Sequence, residues 1–339
     1  MRLEEYNYNL PKNLIAQRPV FPRDHSKLMV LDRKTGAISH HFFYELDKII
    51  DNSFVLVFNN TKVLPYKIFG KKKSGGKVDI LFLQPLKDKI WEVLLRGRLK
   101  EGDKIYLKEG IWFRILNFKK GVFKIRINVK ENALKEFLKR NGLAPLPPYI
   151  KNLPPDKAKR WYQTIFAKRE GSIAAPTASF HFTKSLIRRL SKKGIEKAFI
   201  TLHVNLGTFA PLKAQYFKEK KIHSEFIEIP KESADFLNRK IKEGKKILAV
   251  GSTVARALET VVDSNGFLKE FKGETTLFIY PPYRFKIVKA LITNFHLPKT
   301  TLMCFVSAFG GKKNIKKAYS LAIIKKYRFF SFGDAMLIL

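Results

Sequence analysis

The chain has 339 residues, enough for two domains at about 150 residues each, and its 45% apolar content excludes a disordered chain. Lys and Arg number 66 against 29 Asp and Glu, and the net charge of +37 favours a polyanionic partner, nucleic acid before membrane. No apolar run approaches the ~20 residues of a membrane helix. Residues 1–17 lack the apolar core of a signal peptide, and the one cysteine, Cys304, excludes an internal disulfide, so a cytoplasmic protein is expected. The excess of Lys over Arg, and of Phe (29) over Gly (19), is also a bias that whole proteomes carry, so charge alone does not assign the partner.

In chain order, residues 3–16 read as irregular to short-helical, broken by Pro11. Arg18-Pro19 and Phe21-Pro22-Arg23-Asp24 read as a proline-punctuated loop. Residues 28–32 (LMVLD) predict a short buried strand, and Lys34-Thr35-Gly36 a turn. Phe42, Phe43, Leu46, Ile49 and Ile50 recur at helical spacing. Residues 54–58 (FVLVF) predict a strand in a sheet covered on both faces. It ends on Asn59-Asn60-Thr61-Lys62, which suits either ligand contacts at a strand end or a turn closed by Asn side chains.

The pattern then changes. Strands are predicted at 78–83, 90–95, 104–107, 111–118 and 122–129, with Gly75-Gly76, Gly102-Asp103, Glu109-Gly110 and Lys120-Gly121 at the turns. Short strands at this spacing predict a small antiparallel barrel or curled sheet. Helix–strand alternation resumes after Pro145-Leu146-Pro147-Pro148-Tyr149. The expected organisation is a main α/β domain in two parts, 1–65 and 148–339, with a β-barrel domain inserted at 66–147.

Lys159-Arg160-Trp161-Tyr162 sets two aromatics beside two cations, which suits base stacking beside a phosphate or the start of an amphipathic helix. Residues 171–182 (GSIAAPTASFHF) carry no charged side chain. Ala174, Ala175, Thr177, Ala178 and Ser179 leave room for close approach to the backbone, and Pro176 biases Ala175 toward an extended shape. His181 stands between Phe180 and Phe182. Thr183 predicts the N-cap of a helix with Lys184, Arg188, Arg189, Lys192 and Lys193 on one side and Leu186, Ile187 and Leu190 on the other. The stretch suits a nucleoside-like ligand beside a polyanion; the competing reading is a buried turn and a solvated helix.

Residues 197–204 predict a strand with His203 at its end, either functional or a hydrogen-bonded core residue. His223-Ser224-Glu225 opens a strand reaching 229, residues 233–243 predict a helix stopped by Gly244, and 246–250 a buried strand. Gly251-Ser252-Thr253 leads into a helix over 254–262. This forms an anion site from free N–H groups, unless Ser252 or Thr253 simply caps the helix. Arg256 and Glu259, three apart, suit an ion pair. Residues 275–280 and 289–293 predict strands, the second ending on Asn294-Phe295-His296-Leu297-Pro298, and 315–326 predict a helix. Arg328 and Asp334 stand among aromatics and suit a buried bridge.

The histidines (His25, His40, His41, His181, His203, His223 and His296) show neither H-x-H nor H-x-x-x-H spacing, and no metal site is expected. Walker, G-x-G-x-x-G and G-x-S-x-G motifs are absent. Single His, Thr, Asn and Arg residues at strand ends remain, which suits a substrate that carries its own activation.

Several long blocks closely resemble the S-adenosylmethionine:tRNA ribosyltransferase-isomerase family of queuosine biosynthesis. They include Leu14-Ile15-Ala16-Gln17, Arg23-Asp24, Phe58-Asn59-Asn60-Thr61-Lys62, Ala174-Ala175-Pro176-Thr177-Ala178, His181-Phe182, Thr201-Leu202-His203-Val204 and Gly207-Thr208-Phe209. Others are Ser26-Lys27-Leu28, Pro145-Leu146-Pro147-Pro148-Tyr149-Ile150, Tyr162-Gln163-Thr164, His223-Ser224-Glu225, Thr293-Asn294-Phe295-His296-Leu297-Pro298 and Tyr327-Arg328-Phe329-Phe330 with Gly333-Asp334-Ala335-Met336. The chain departs from the family pattern at Ser179-Phe180 (usually Gly-Leu), Asn205 and Pro282 (usually Gly), and Lys27 and Lys62 (usually Arg). Ser179 and Asn205 narrow the approach to the backbone.

The resemblance implies a mixed α/β, barrel-like main domain with an inserted antiparallel β-barrel. It implies transfer and isomerisation of the ribosyl part of S-adenosylmethionine onto 7-aminomethyl-7-deazaguanine at the wobble position of a tRNA anticodon stem-loop. Epoxyqueuosine-tRNA, adenine and methionine would result, with no metal or prosthetic group, and a monomer is expected. The expected site takes His181 and His203 for proton transfer. Arg23, Asp24, Asn59, Thr61, Thr177, Thr208, Asn294, His296, Arg328 and Asp334 are expected to bind substrate, with Arg256 on the methionine carboxylate. Lys184, Arg188, Arg189 and Lys192 are expected to meet tRNA. The alternative is a non-catalytic tRNA-binding protein of the same fold.

Overall fold

The computed structural model describes residues 3–87, 89–119, 121–151, 153–205 and 212–339. The chain begins with β1 (Lys27–Leu31), β2 (Ile38–Phe42), α1 (Leu46–Ile49), β3 (Phe54–Asn59) and β4 (Thr61–Val63). Six strands follow: β5 (Lys67–Lys72), β6 (Lys77–Pro85), β7 (Ile90–Arg96), β8 (Lys104–Tyr106), β9 (Trp112–Lys119) and β10 (Val122–Ile127). Then come α2 (Glu131–Asn141), α3 (Pro155–Trp161), β11 (Arg169–Ser172), α4 (Lys184–Lys192), β12 (Glu196–Leu202) and α5 (Ala214–Glu219). The chain continues with β13 (Lys221–Ile229), α6 (Lys231–Lys242), β14 (Lys246–Val250), α7 (Ser252–Val261), β15 (Phe271–Leu277) and β16 (Val288–Asn294). It closes with α8 (Thr301–Gly310), α9 (Lys312–Ile324) and β17 (Ala335–Ile338).

Among the described residues a nine-stranded sheet runs β15-β13-β12-β3-β14-β16-β17-β1-β2. Its centre is parallel: β12, β3, β14 and β16 all point the same way. Successive residues alternate between two cores. Val55 and Val57 join one core and Leu56 and Phe58 the other; Ile247 and Ala249 likewise oppose Leu248 and Val250. One face is covered by Leu186 and Leu190 of α4, the other by α6, α7, α8 and α9. Burial on both faces is why these strands read as unbroken apolar runs. Each fully buried Phe or Leu contributes about 2 kcal/mol by area.

The mixed α/β character and the small antiparallel barrel are as expected. The large sheet, expected to be barrel-like, is open, with β15 and β2 as its ends. Both end strands carry exposed polar residues (FKGETTL and ISHHF), which protects an edge from further pairing.

The described chain divides into two compact units, one of Met1–Lys62, Pro148–Leu153 and Gln163–Leu339, the other of Val63–Pro147 and Pro154–Tyr162. In the second unit the strands close in the order β10-β7-β6-β5-β8-β9 around Ile80, Phe82, Trp91, Phe113 and Ile125. Leu134, Phe137 and Leu138 of α2 complete that core. Strand β5, not predicted, carries Gly70, where a Cβ would meet Ile105 and Ile80 side-chain carbons at 2.8 and 2.9 Å. Residues 159–161 lie in a helix, but at its end and not its start: α3 begins at Pro155 and stops at Trp161.

Candidate active site

The parallel strands β14 and β16 deliver their carboxyl ends to one place, where ligands bind in open α/β sheets. A cleft of about 650 Å³ opens there. Thr177 and Ala178 form one wall and Gly251, Ser252 and Thr253 another; Thr293, Asn294 and His296 lie at the strand end, with Tyr149, Phe295 and Phe330 as aromatic lining. The small residues of 174–178 permit this closeness. Gly251 has φ +101°, and a Cβ there would already stand 3.6 Å from Ala178 Cβ.

Behind the cleft lies a closed polar chain. Thr177 Oγ1 donates to Asn294 Oδ1 (2.9 Å), and Asn294 Nδ2 donates to His181 Nε2 (3.2 Å) and to the Phe330 carbonyl (3.2 Å). Since Nε2 accepts, Nδ1 carries the proton and donates to Ser26 Oγ at 2.7 Å. Phe43 stacks on the ring at 5.0 Å. Burial first, then the cations Arg328 and Arg23, hold the His181 imidazole down at about 3, so it is neutral at pH 7. Burial likewise holds His296 at about 3. His296 Nε2 lies 2.8 Å from Thr293 Oγ1, and its carbonyl accepts from the Tyr8 hydroxyl.

The two imidazoles expected to move protons are placed differently from His296. Neither His181 nor His203 is in the cleft lining. His203, half-buried, bonds Thr61 Oγ1 through Nδ1 (2.8 Å) and stacks on Phe226. Gly171 lies against it: a Cβ there would sit 2.6 Å from His203 Nε2. Burial lowers its pKa and Glu228 opposes that shift. Asn59 is fully buried and bonds backbone groups of Thr61 and Leu202, which is the turn-closing reading of its strand end. Thr208 lies outside the described residues.

Arg23 packs 4.9 Å over the Phe180 ring, and burial pulls its guanidinium down to about 10. With His181 and Arg328 it lines a small cavity of about 210 Å³. Asp24 accepts from Thr183 Oγ1 at 2.6 Å, and that oxygen in turn caps α4 by accepting from Leu186 N–H. Asp334 takes the backbone N–H of Lys27 and of Arg328 and pairs with the Arg328 guanidinium at 3.1 Å; the expected bridge forms, with Asp334 buried and Arg328 partly exposed.

Along α4, Leu186 and Leu190 are buried and Lys184, Arg188 and Lys192 exposed, as the spacing requires. Arg189 is engaged: its guanidinium bonds Asp47 (3.2 Å) and the Tyr44 carbonyl (2.5 Å).

Arg256 and Glu259 do not pair. Glu259 caps the backbone N–H groups of Lys286, Ile287 and Val288, while Arg256 reaches Glu225 on β13. Both Glu225 and Arg256 are buried and line a recess of about 370 Å³ with His223. Nor does Ser252 or Thr253 cap α7: the helix has no side-chain cap, and Thr253 Oγ1 is buried without a hydrogen-bond partner. Thr253 belongs to the Gly251-Ser252-Thr253 run read as an anion site; His223 and Glu225 were not site candidates, and their signals are a polar His-Ser-Glu run opening a strand and its place among the family blocks. Among the described residues no group of three or more His, Cys, Asp or Glu is arranged to hold a metal ion, and no helix is long and apolar enough to cross a membrane.

The family described as queuosine biosynthesis protein matches residues 3–338. A Sulfurihydrogenibium protein named S-adenosylmethionine:tRNA ribosyltransferase-isomerase is 46% identical over 342 residues, covering 100% of both chains. A Thermotoga maritima protein of the same name is 44% identical over 341 residues, again covering 100% of both. Among solved structures, an S-adenosylmethionine tRNA ribosyltransferase from Thermotoga maritima is similar with 36% identity and a TM-score of 0.58, over 99% of this chain and 100% of that one.

Proposed function

The chain belongs to the queuosine biosynthesis protein family, and we propose from this that it is an S-adenosylmethionine:tRNA ribosyltransferase-isomerase. It moves and isomerises the ribosyl group of S-adenosylmethionine onto 7-aminomethyl-7-deazaguanine at the tRNA wobble position. Epoxyqueuosine-tRNA forms, and adenine and methionine leave. The observation that carries this reading is identity of 46% and 44% to proteins of that name with both chains covered end to end. A binding protein of the same fold would have no use for the many uncharged polar groups gathered at the cleft.

The chemistry suits the cleft. The sulfonium acidifies the neighbouring ribose carbon, so a modest base suffices. Methionine departs readily from sulfonium, and adenine departs more readily when protonated. Neutral His296, anchored by Thr293, is the imidazole that reaches the cleft and is assigned proton transfer. His181 holds Asn294 and Thr177 in place from behind. Aromatic lining from Tyr149 and Phe330 suits a nucleoside base. S-adenosylmethionine is a substrate, and no prosthetic group is required. Exposed Lys184, Arg188 and Lys192 are assigned to tRNA phosphates. A monomer in a reducing cytoplasm is consistent with the single buried thiol, Cys304.

The test is incubation with labelled S-adenosylmethionine and a tRNA carrying the deazaguanine. Adenine release with label transfer to tRNA is expected. Tight tRNA binding without adenine release would leave the non-catalytic reading standing.

A further inference from the structure

We propose that the recess between β13 and α7 holds the α-amino-acid end of the donor: Arg256 and Thr253 take the carboxylate and Glu225 the ammonium. The proposal rests on the function above. It adds a subsite, a ligand chemistry and a polarity for the donor.

The recess shares Ser252, Thr253 and Leu302 with the cleft, so one elongated ligand can reach both. Its chemistry differs from that of the cleft. Arg256 is only 7% exposed and Glu225 1%, and they pair. The pair does not use up the donors present. Arg256 Nε, Thr253 Oγ1 and both ring nitrogens of His223 are buried with no hydrogen-bond partner. The start of α7, at Ser252 and Thr253, also lacks a side-chain cap. Buried donors without partners are rare in native proteins and point to a missing ligand.

The missing ligand must carry both signs. A lone anion would face the Glu225 carboxylate, and a lone cation would face Arg256. A zwitterion places its carboxylate on Arg256 Nε, the Thr253 hydroxyl and the N-terminal end of α7, where the helix dipole also favours negative charge. Its ammonium then lies against Glu225, which also accepts the Asn205 N–H at 2.8 Å. His223 Nε2, 3.8 Å from Glu225 Oε1, closes the same end. In this pose the sulfonium sits at the shared residues 252–253 and the adenosyl part extends toward Asn294 and His296.

The experiment compares S-adenosylmethionine with its decarboxylated form on the full chain with modified tRNA, reading adenine release. Thr253→Val is the test variant, because it keeps shape and removes only the hydroxyl. Decarboxylated donor is expected to lose about 100-fold in kcat/KM, and Thr253→Val to raise the KM for S-adenosylmethionine about tenfold. The KM for the decarboxylated donor should be unmoved by Thr253→Val. If the variant weakens both donors equally, or if both donors are used equally well, the proposal is overturned. If neither donor releases adenine, the function itself fails, and calorimetry with free L-methionine decides the subsite. Binding that Thr253→Val weakens about tenfold supports it, and absence of methionine binding to the unsubstituted chain refutes it.

Discussion

The main unit buries two clusters of polar side chains and finishes them differently. Around His181, the side chains of Ser26, Asn294 and Thr177 bond one another in an unbroken series. Around Arg256, the guanidinium Nε, the Thr253 hydroxyl and the His223 ring remain without hydrogen-bond partners. The helix starts repeat the contrast: Thr183 caps α4, and no side chain caps α7. A satisfied cluster stores its interactions in the folded protein. An open one holds them in reserve for a ligand. Substitutions in the first should therefore register as stability, and substitutions in the second as substrate KM.

The largest expected effect is on the satisfied side and depends on pH. Unfolded imidazoles take up a proton near pH 6.5, whereas buried His181 and His296 resist until about 3. The folded state therefore binds fewer protons across that window. Their contribution to stability is fully present above about 6.5 and is lost as pH falls toward 3. At about 1.4 kcal/mol per unit, urea unfolding at about pH 5 should show on the order of 4 kcal/mol less stability than at neutral pH for the pair. His203 and His40, also lowered by burial, act in the same direction. A double variant His181→Gln and His296→Gln should flatten the profile; an unchanged slope would break the comparison.

Next in size is turnover. His296→Ala should lower kcat by about 10² with tRNA affinity intact. The same substitution at His203, measured alongside, should do much less. A reversed pair of results would move the proton transfer to the end of β12.

The comparison sharpens further with two small substitutions. Ser26→Ala strands the His181 Nδ1 proton in the core and should cost about 1–3 kcal/mol in denaturant unfolding. Thr253→Val removes a hydroxyl that already lacks a partner and should shift stability by no more than about 0.5 kcal/mol. Equal costs would mean the recess is as finished as the cluster behind the cleft.

The smallest effect separates two neighbours on α4. Arg189, tied to Asp47, should lose about 0.5–1 kcal/mol of stability on change to Ala. Exposed Arg188 should lose almost none, and Arg188→Ala should instead reduce the salt slope of tRNA binding by about one unit. An unmoved slope would assign the +37 charge to composition and place the tRNA elsewhere.

The sheet was legible in the sequence where both faces are buried: FVLVF and KILAV have no other reading. Helix α8 was not, because Thr301–Gly310 is buried on nearly every side and so lacks the polar stripe that makes a helix periodic. Strand β5 was hidden by Gly70 and three lysines. In the site, Asn294 and His296 were visible as odd polar residues at a strand end, and Thr177 as a small polar residue in the uncharged stretch 171–182. Their partners were not: Ser26 and His181 lie 155 residues apart, and no local pattern links them. Arg256 illustrates the limit. Spacing paired it with Glu259, but β13 offered a deeper partner in Glu225 while Glu259 went to the backbone of 286–288.

Strand β17 lies between β16 and β1, and all four of its residues are wholly enclosed. The hairpin of β1 and β2 therefore has no neighbour in the large sheet until residues 335–338 arrive, about three hundred positions later in synthesis. Through that interval the backbone edge of Lys27–Leu31 and its apolar side chains stand uncovered, the condition under which chains pair with the wrong partner or call on chaperones. Asp334, one residue before β17, binds the Lys27 N–H at the start of β1 and so sets the alignment of the two strands as they meet. Folding of the main sheet is thus a late event governed by one of the chain's most distant contacts, and it should be slow for the size of the protein.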